Sequence, residues 1–163
     1  MTLIHHGITS RTAMQLVGYR SEASLNEDLE QHIVSGMRTQ LYNQLQTYKP
    51  SPALDLYLIQ VYPCIPWTPD TVFSSIVAVE QQGYESMPTE GMIQHVSPAG
   101  DFYSFTYEGT EQNIDQAYDE IRQWLAQHGI EDSRPYDIEC WPNVQHASQE
   151  LTCIHIYIPV HVD

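Results

Sequence analysis

Apolar positions along the chain change period from segment to segment. Between Glu111 and His128 they fall at Ile114, Ala117, Tyr118, Ile121, Trp124 and Leu125, which is one face of an α-helix. Thr110 stands where an N-cap belongs, Glu111 puts an acid in the first turn, and Gly129 follows the end. Between Ser24 and Thr47 a second helix is predicted from Leu25, Leu29, Ile33, Met37, Leu41 and Leu45, until Lys49-Pro50-Ser51-Pro52 stops it. The remaining apolar runs are short and rich in β-branched and aromatic residues. They predict strands at Arg11–Arg20, Leu54–Tyr62, Val72–Glu80, Tyr136–Trp141 and Leu151–Val160. Met92–Tyr107 is one long strand or two short ones, broken at Pro98-Ala99-Gly100. The order is strand, helix, strand, strand, and then the same again. The chain is therefore expected to be one α+β domain of duplicated βαββ halves, about 9–82 and 90–161. The halves would share one antiparallel sheet, with both helices on one face and a ligand groove where they meet.

A length of 163 residues suits one such domain, long enough to bury a core without staples. Charge narrows the function classes. Six Lys and Arg against 21 Asp and Glu leave a formal net charge of −15, which argues against direct nucleic-acid binding and against an anionic membrane surface. It favours attraction of cations. The three cysteines, Cys64, Cys140 and Cys153, are an odd number without CxxC spacing, as in a reducing compartment. With no signal-peptide pattern and no apolar run long enough to span a bilayer, a cytoplasmic location is expected.

Strand alternation suggests the candidate chemistry. Ile154, Ile156 and Ile158 share one face of the last strand, and Ile138 and Cys140 one face of the strand before it. If both isoleucine faces meet the helices, the other side gathers Glu139, Trp141, His155 and Tyr157. An acid among aromatic rings suits an organic cation, through cation–π attraction and a counter-charge. Tyr57, opposite Leu54, Leu56 and Leu58, would join this wall. Glu80 would be a second acid at the end of its strand, and Trp67 a lid from the Pro-rich loop. Trp124 belongs to the helix stripe and is expected in the core. The histidines, His5, His6, His32, His95, His128, His146, His155 and His161, are scattered without zinc spacing. No phosphate loop, nucleophile elbow or dinucleotide fingerprint is present, so neither metal nor cofactor is expected.

Four segments also carry a family resemblance. They are Pro98-Ala99-Gly100-Asp101-Phe102-Tyr103-Ser104-Phe105 with Gly109, Ile121-Arg122-Gln123-Trp124-Leu125 with Gly129, Arg134-Pro135-Tyr136-Asp137-Ile138-Glu139-Cys140-Trp141, and Tyr157-Ile158-Pro159-Val160. In this order they resemble the GyrI-like small-molecule-binding domain, also called the AraC-type effector-binding domain. In the first half only Leu16-Val17-Gly18 matches, with the element order. The resemblance implies a duplicated βαββ fold with a pocket between the halves, where a buried glutamate and aromatic rings take bulky cations. Glu139 and Trp141 fall on the family's Glu and Tyr positions, Trp replacing Tyr. His155 stands where many members have a second Glu, the residue linked to cation binding and to the hydrolytic activity of some members. Protonated near pH 6, it would repel a cation.

The sequence-based expectation is thus a binding module for amphipathic or cationic organic compounds rather than an enzyme. Its partners would be hydrophobic cationic small molecules, with a separate regulator protein or a homodimer as further possibilities. No helix-turn-helix pattern is visible, which suggests a stand-alone module. The alternatives are a hydrolase of electrophilic small molecules, using Glu139 with His155 or Tyr157, and a gyrase-inhibitor-like interaction protein.

Overall fold

The computed structural model describes residues 2–49, 55–142 and 152–160. The strand ends expected at Leu54 and Leu151, the stop at Pro50-Ser51-Pro52, and His146 and His161 lie outside them. In chain order the elements are β1 (Thr2–Arg11), β2 (Met14–Ala23), α1 (Leu25–Gln31), α2 (Ile33–Tyr48), β3 (Leu56–Val61), β4 (Phe73–Glu80), β5 (Ile93–Ser97), β6 (Gly100–Gly109), α3 (Ile114–Gln127), β7 (Tyr136–Trp141) and β8 (Thr152–Pro159). A 3-10 turn at Glu111–Asn113 leads into α3. The α+β architecture is the one expected: a single eight-stranded antiparallel sheet, in the order β1-β6-β8-β7-β3-β4-β2-β5, with α2 and α3 on one face.

The early boundaries differ from expectation for physical reasons. The first predicted strand is in fact the end of β1 and most of β2, separated by Thr12 and Ala13. The first predicted helix is two helices. Residues repeating every four advance about 40° per step on a helix of 3.6 residues per turn, so six of them cannot share a face. The chain resets at His32, which has a left-handed φ of 54°. Ser24 caps α1 with a reciprocal capping box to Glu27. Asp28 closes α1 by accepting from His32 N–H, and its side chain caps α2 by accepting from Val34 N–H at 2.8 Å. After this reset α1 buries nothing, Leu29 is exposed, and Met37, Leu41 and Leu45 of α2 face the sheet. Further on, α3 buries Ala117, Tyr118, Ile121 and Leu125, and Gly129 ends it at φ 67°. Leu41, Leu45, Ile121 and Leu125 are essentially sealed, and each contributes about 1.5–3 kcal/mol.

Two crossovers control the shape of the sheet. β1 is at one edge and β2 is next to the other edge, yet only Thr12 and Ala13 join them. In a flat sheet six strand spacings would separate them by about 29 Å, whereas three Cα steps reach about 11 Å. Pro98 and Ala99 make the same crossing between β5 and β6. The sheet therefore folds back on itself. Its helix-free face becomes a second core in which Met14, Leu16, Tyr57, Ile59, Ile76, Ala78, Phe102, Ile138 and Cys140 are buried.

Where β2 closes against β4, Gly18 has no room for a side chain. A Cβ there would lie 2.0 Å from the Val77 carbonyl oxygen and 2.6 Å from the Ala78 Cα. Gly18→Ala is expected to lower stability by about 3 kcal/mol or more in urea unfolding. Gly36→Ala, in α2 where a Cβ meets nothing within 4 Å, is expected to raise it by about 0.5–1 kcal/mol. Equal effects of the two changes would contradict this account of the closure.

Candidate functional site

The register of β7 decides which side chains meet. Asp137, Glu139 and Trp141 alternate with Ile138 and Cys140. Glu139 pairs with Leu58 on one side and with Ile156 on the other, both in the core beneath the helices. Cys140 pairs with Tyr57 and His155, and Ile138 with Tyr157, in or beside the core behind the sheet. The expected grouping of Glu139, Trp141, His155 and Tyr157 is therefore divided between two faces. Ile138 and Ile156 point to opposite sides. Because both faces are buried, an isoleucine can serve either core, and apolar character alone does not reveal the face.

On the helix side Glu139 is the centre of a buried polar cluster. Glu139 is 3% exposed. Oε2 accepts from the Tyr118 hydroxyl of α3 at 2.5 Å, and Oε1 accepts from the Trp141 indole N–H at 3.0 Å. The Arg38 guanidinium of α2 lies 4.0 Å from the centroid of the Trp141 ring and ion-pairs with Glu111 at 2.9 Å. Asp137 is fully buried on the same face, two residues away. Its Oδ2 accepts from the Tyr62 hydroxyl at 2.6 Å and sits 3.3 Å from Arg134 Nε, while its Oδ1 is buried without a partner.

Electrostatics follow from this burial. Desolvation pushes the Glu139 carboxyl up to about 7, and Asp137 adds to the rise. Hydrogen bonds from Tyr118 and Trp141 and the charge of Arg38 act the other way. Desolvation likewise raises Asp137 to about 6, against the pull of Arg134 and Tyr62. Burial, together with the two acids, holds the Tyr118 phenol well above its ordinary value, so it stays a proton donor. The site thus holds a carboxyl that can change charge near neutrality, with aromatic rings around it. Hydrogen bonds alone do not fully compensate its burial.

The other candidate residues lie elsewhere. Behind the sheet, Arg11 stacks at 4.2 Å on the Tyr157 ring, and burial raises the Tyr57 phenol and lifts the Cys140 thiol to about 11. There His155 Nδ1 is 3.0 Å from the Thr106 hydroxyl, which is 2.7 Å from His6 Nε2. Glu80 is exposed at the end of β4. Trp67 is 42% exposed and packs edge-on against Tyr62 and Phe73, at a margin of the helix-side face. Trp124 is only partly buried, between the rings of His5 at 4.0 Å and His128 at 4.2 Å. Among the described residues no group of three or more His, Cys, Asp and Glu side chains could hold a metal ion, and no helix is long and apolar enough to cross a membrane. The sequence reading did not single out Tyr118, Asp137, Tyr62, Arg134 and Arg38. Tyr118 carried one signal: a tyrosine on a buried stripe needs a partner for its hydroxyl. Nothing in the periodicity marked Arg38.

Two surface clefts, of about 260 and 310 Å³, lie along α3 and do not include Glu139. One lies between Leu125, the 130–135 loop and the end of β8, and the other beside Trp124 and His5. The carboxyl is sealed in this conformation.

The same fold occurs in solved structures of low sequence identity. An integron cassette protein from the mobile metagenome of Vibrio cholerae is 12% identical with a TM-score of 0.67, over 99% of this chain and 100% of that one. SAV2435, solved bound to tetraphenylphosphonium, is 12% identical with a TM-score of 0.62, over 96% and 93%. EcmrR, solved in complex with DNA, is 13% identical with a TM-score of 0.68, and here 99% of this chain covers 58% of that one. No curated protein matches the chain. Residues 7–161 match the model of the GyrI-like small molecule binding domain, nearly the whole chain, and the protein belongs to that family.

Proposed function

We propose that the domain binds amphipathic organic cations on the helix side of the sheet, at Glu139. The observation that carries this reading is a carboxylate buried under aromatic rings, already in contact with a cation-bearing side chain through Trp141. A ligand cation would neutralise Glu139 and stack on Trp141, while α2 and α3 part to admit its apolar body. The charge of −15 draws cations to the surface and argues against direct contact with nucleic acid. Tetraphenylphosphonium on SAV2435 supports the ligand class, and the DNA complex of EcmrR supports a sensing role coupled to a DNA-binding partner. His155, Tyr157 and Tyr57 face the other core, Glu80 is exposed and Trp67 packs on Tyr62 and Phe73, so the proposed site consists of Glu139, Trp141, Tyr118 and Arg38.

A second reading rests on the carboxyl near 7. That value suits a general base activating water, with the Tyr118 hydroxyl 2.5 Å away as a proton donor. Hydrolysis of an electrophilic substrate, abolished in Glu139→Gln while binding persists, would establish it.

Titration with tetraphenylphosphonium, followed by tryptophan fluorescence, is expected to show micromolar binding that weakens about tenfold in Glu139→Gln, equivalent to about 1.4 kcal/mol. Equal binding of neutral triphenylphosphine oxide would remove charge from the explanation and leave only an apolar pocket.

The pH dependence has a definite sign. Only ionised Glu139 attracts a cation, so affinity should rise from pH 6 to 8 and level off above that, with the rise lost in Glu139→Gln. Ligand-free stability should run the other way. The folded carboxyl titrates above its unfolded value, so its contribution is complete below about pH 4.5 and is lost as pH rises through 7, on the order of 3 kcal/mol in all. Asp137 adds a loss of the same sign at lower pH, ending near 6. Urea unfolding between pH 4 and 8 tests both. A flat stability profile would mean that Glu139 is not buried in solution.

A further inference from the structure

We infer that Arg38 is a tethered cation occupying the position that a ligand's positive charge would take, so that a ligand must displace it and its removal strengthens binding. The inference rests on the proposed site at Glu139. Three observations lead to it. The guanidinium is stacked 4.0 Å from the centre of the Trp141 ring, the geometry by which an aromatic wall holds an organic cation. That same indole donates to Glu139, so the chain already presents a cation, a ring and a carboxylate in one cluster. The Arg38 side chain is 15% exposed and its other contact is Glu111, a half-exposed acid on the turn before α3, so α2 is latched to the turn that leads into α3.

Arg38 also sits in the more lightly buried first half of α2. Before Met37 the first turn of α2 has no fully buried residue, only Ile33 and Val34 half-buried at the core margin, and the helix starts from the left-handed His32 after an α1 without a buried residue. Gly36, two positions before Arg38, has open space around it. Withdrawing Arg38 therefore breaks a stack and a partly exposed ion pair while Leu41 and Leu45 stay anchored in the core. A cationic aromatic ligand replaces both the stack and the charge. A neutral one replaces only the stack and leaves Glu139 with less compensation. The tether thus acts as a filter for cations as well as a brake on affinity, since apparent affinity scales with the fraction of molecules whose site is free.

The test compares wild type, Arg38→Gln and Arg38→Lys, binding tetraphenylphosphonium at pH 8, with amide hydrogen exchange over residues 33–41 in the absence of ligand. Arg38→Gln is expected to bind about tenfold more tightly and to exchange faster over these residues. Arg38→Lys keeps the charge without the planar stack and should lie between the two, which preserves the test if the Gln variant does not fold. If wild type binds and neither variant binds more tightly, Arg38 is a structural or direct ligand contact, and the inference falls while the proposed site stands. If no form binds the cation, the proposed site fails and takes the inference with it.

Discussion

The two-residue crossovers are the constraint on which the rest of the molecule depends. Thr12-Ala13 and Pro98-Ala99 each carry the chain between opposite ends of an eight-stranded sheet. No flat or gently twisted sheet can satisfy links that short. Once the sheet has folded back, its helix-free face is a core with its own cluster of buried side chains, and Gly18 is needed where β2 closes on β4. The other face has to be covered as well, and α2 and α3 cover it. The sheet is thus buried on both sides, and the ligand site proposed at Glu139 requires α2 and α3 to part from it. Side chains of both helices share the core above the sheet, and near Glu139 the ion pair of Arg38 with Glu111 ties α2 to the turn that leads into α3.

Burial on both sides gives the polar cluster its character. A carboxylate in such a layer loses its hydration and must recover the loss from hydrogen bonds and counter-charge. Glu139 receives one hydrogen bond from α3 and one from its own strand, with Arg38 acting through the indole; Asp137 receives Tyr62 and Arg134 and keeps one oxygen unpartnered. Compensation is therefore incomplete at both acids, and their upward shifts express this. A structure selected for stability alone would put apolar side chains in these positions. Under the proposed function, the remaining deficit is what a ligand cation would relieve, which would tie the cost of the cluster to its use.

Much of the fold could be read from the sequence, because most segments carried unambiguous local signals. The α3 stripe, the Pro98-Ala99-Gly100 break and the strand β7 are where their residues placed them. Failures came where the deciding information was not local. Leu25 to Leu45 looked like one helix because a four-residue repeat resembles the helical period over two turns but drifts over five; the side chain of Asp28 resolved it by capping the next helix. β1 has no strand signal of its own because Thr2–Arg11 is mostly polar, an edge strand held by pairing with β6 rather than by its own apolar face.

The site shows the same division. Glu139 and Trp141 were identified from alternation and family resemblance, and they remain together because they lie two residues apart on one strand. Their expected companions on β8 were separated from them by register. In an antiparallel pair, directly opposed residues share a face, so Glu139 opposite Ile156 settles the matter and places His155 with Cys140. No side chain's hydropathy could have shown this, since both faces are buried. Arg38 was equally hidden: an arginine beside an apolar helix stripe is ordinarily a solvated residue, and only the approach of α2 to β7 brings it over an indole. The acid of this site can be read from the strand that carries it, whereas the cation that balances it can be read only from the packing of a helix more than ninety residues earlier in the chain.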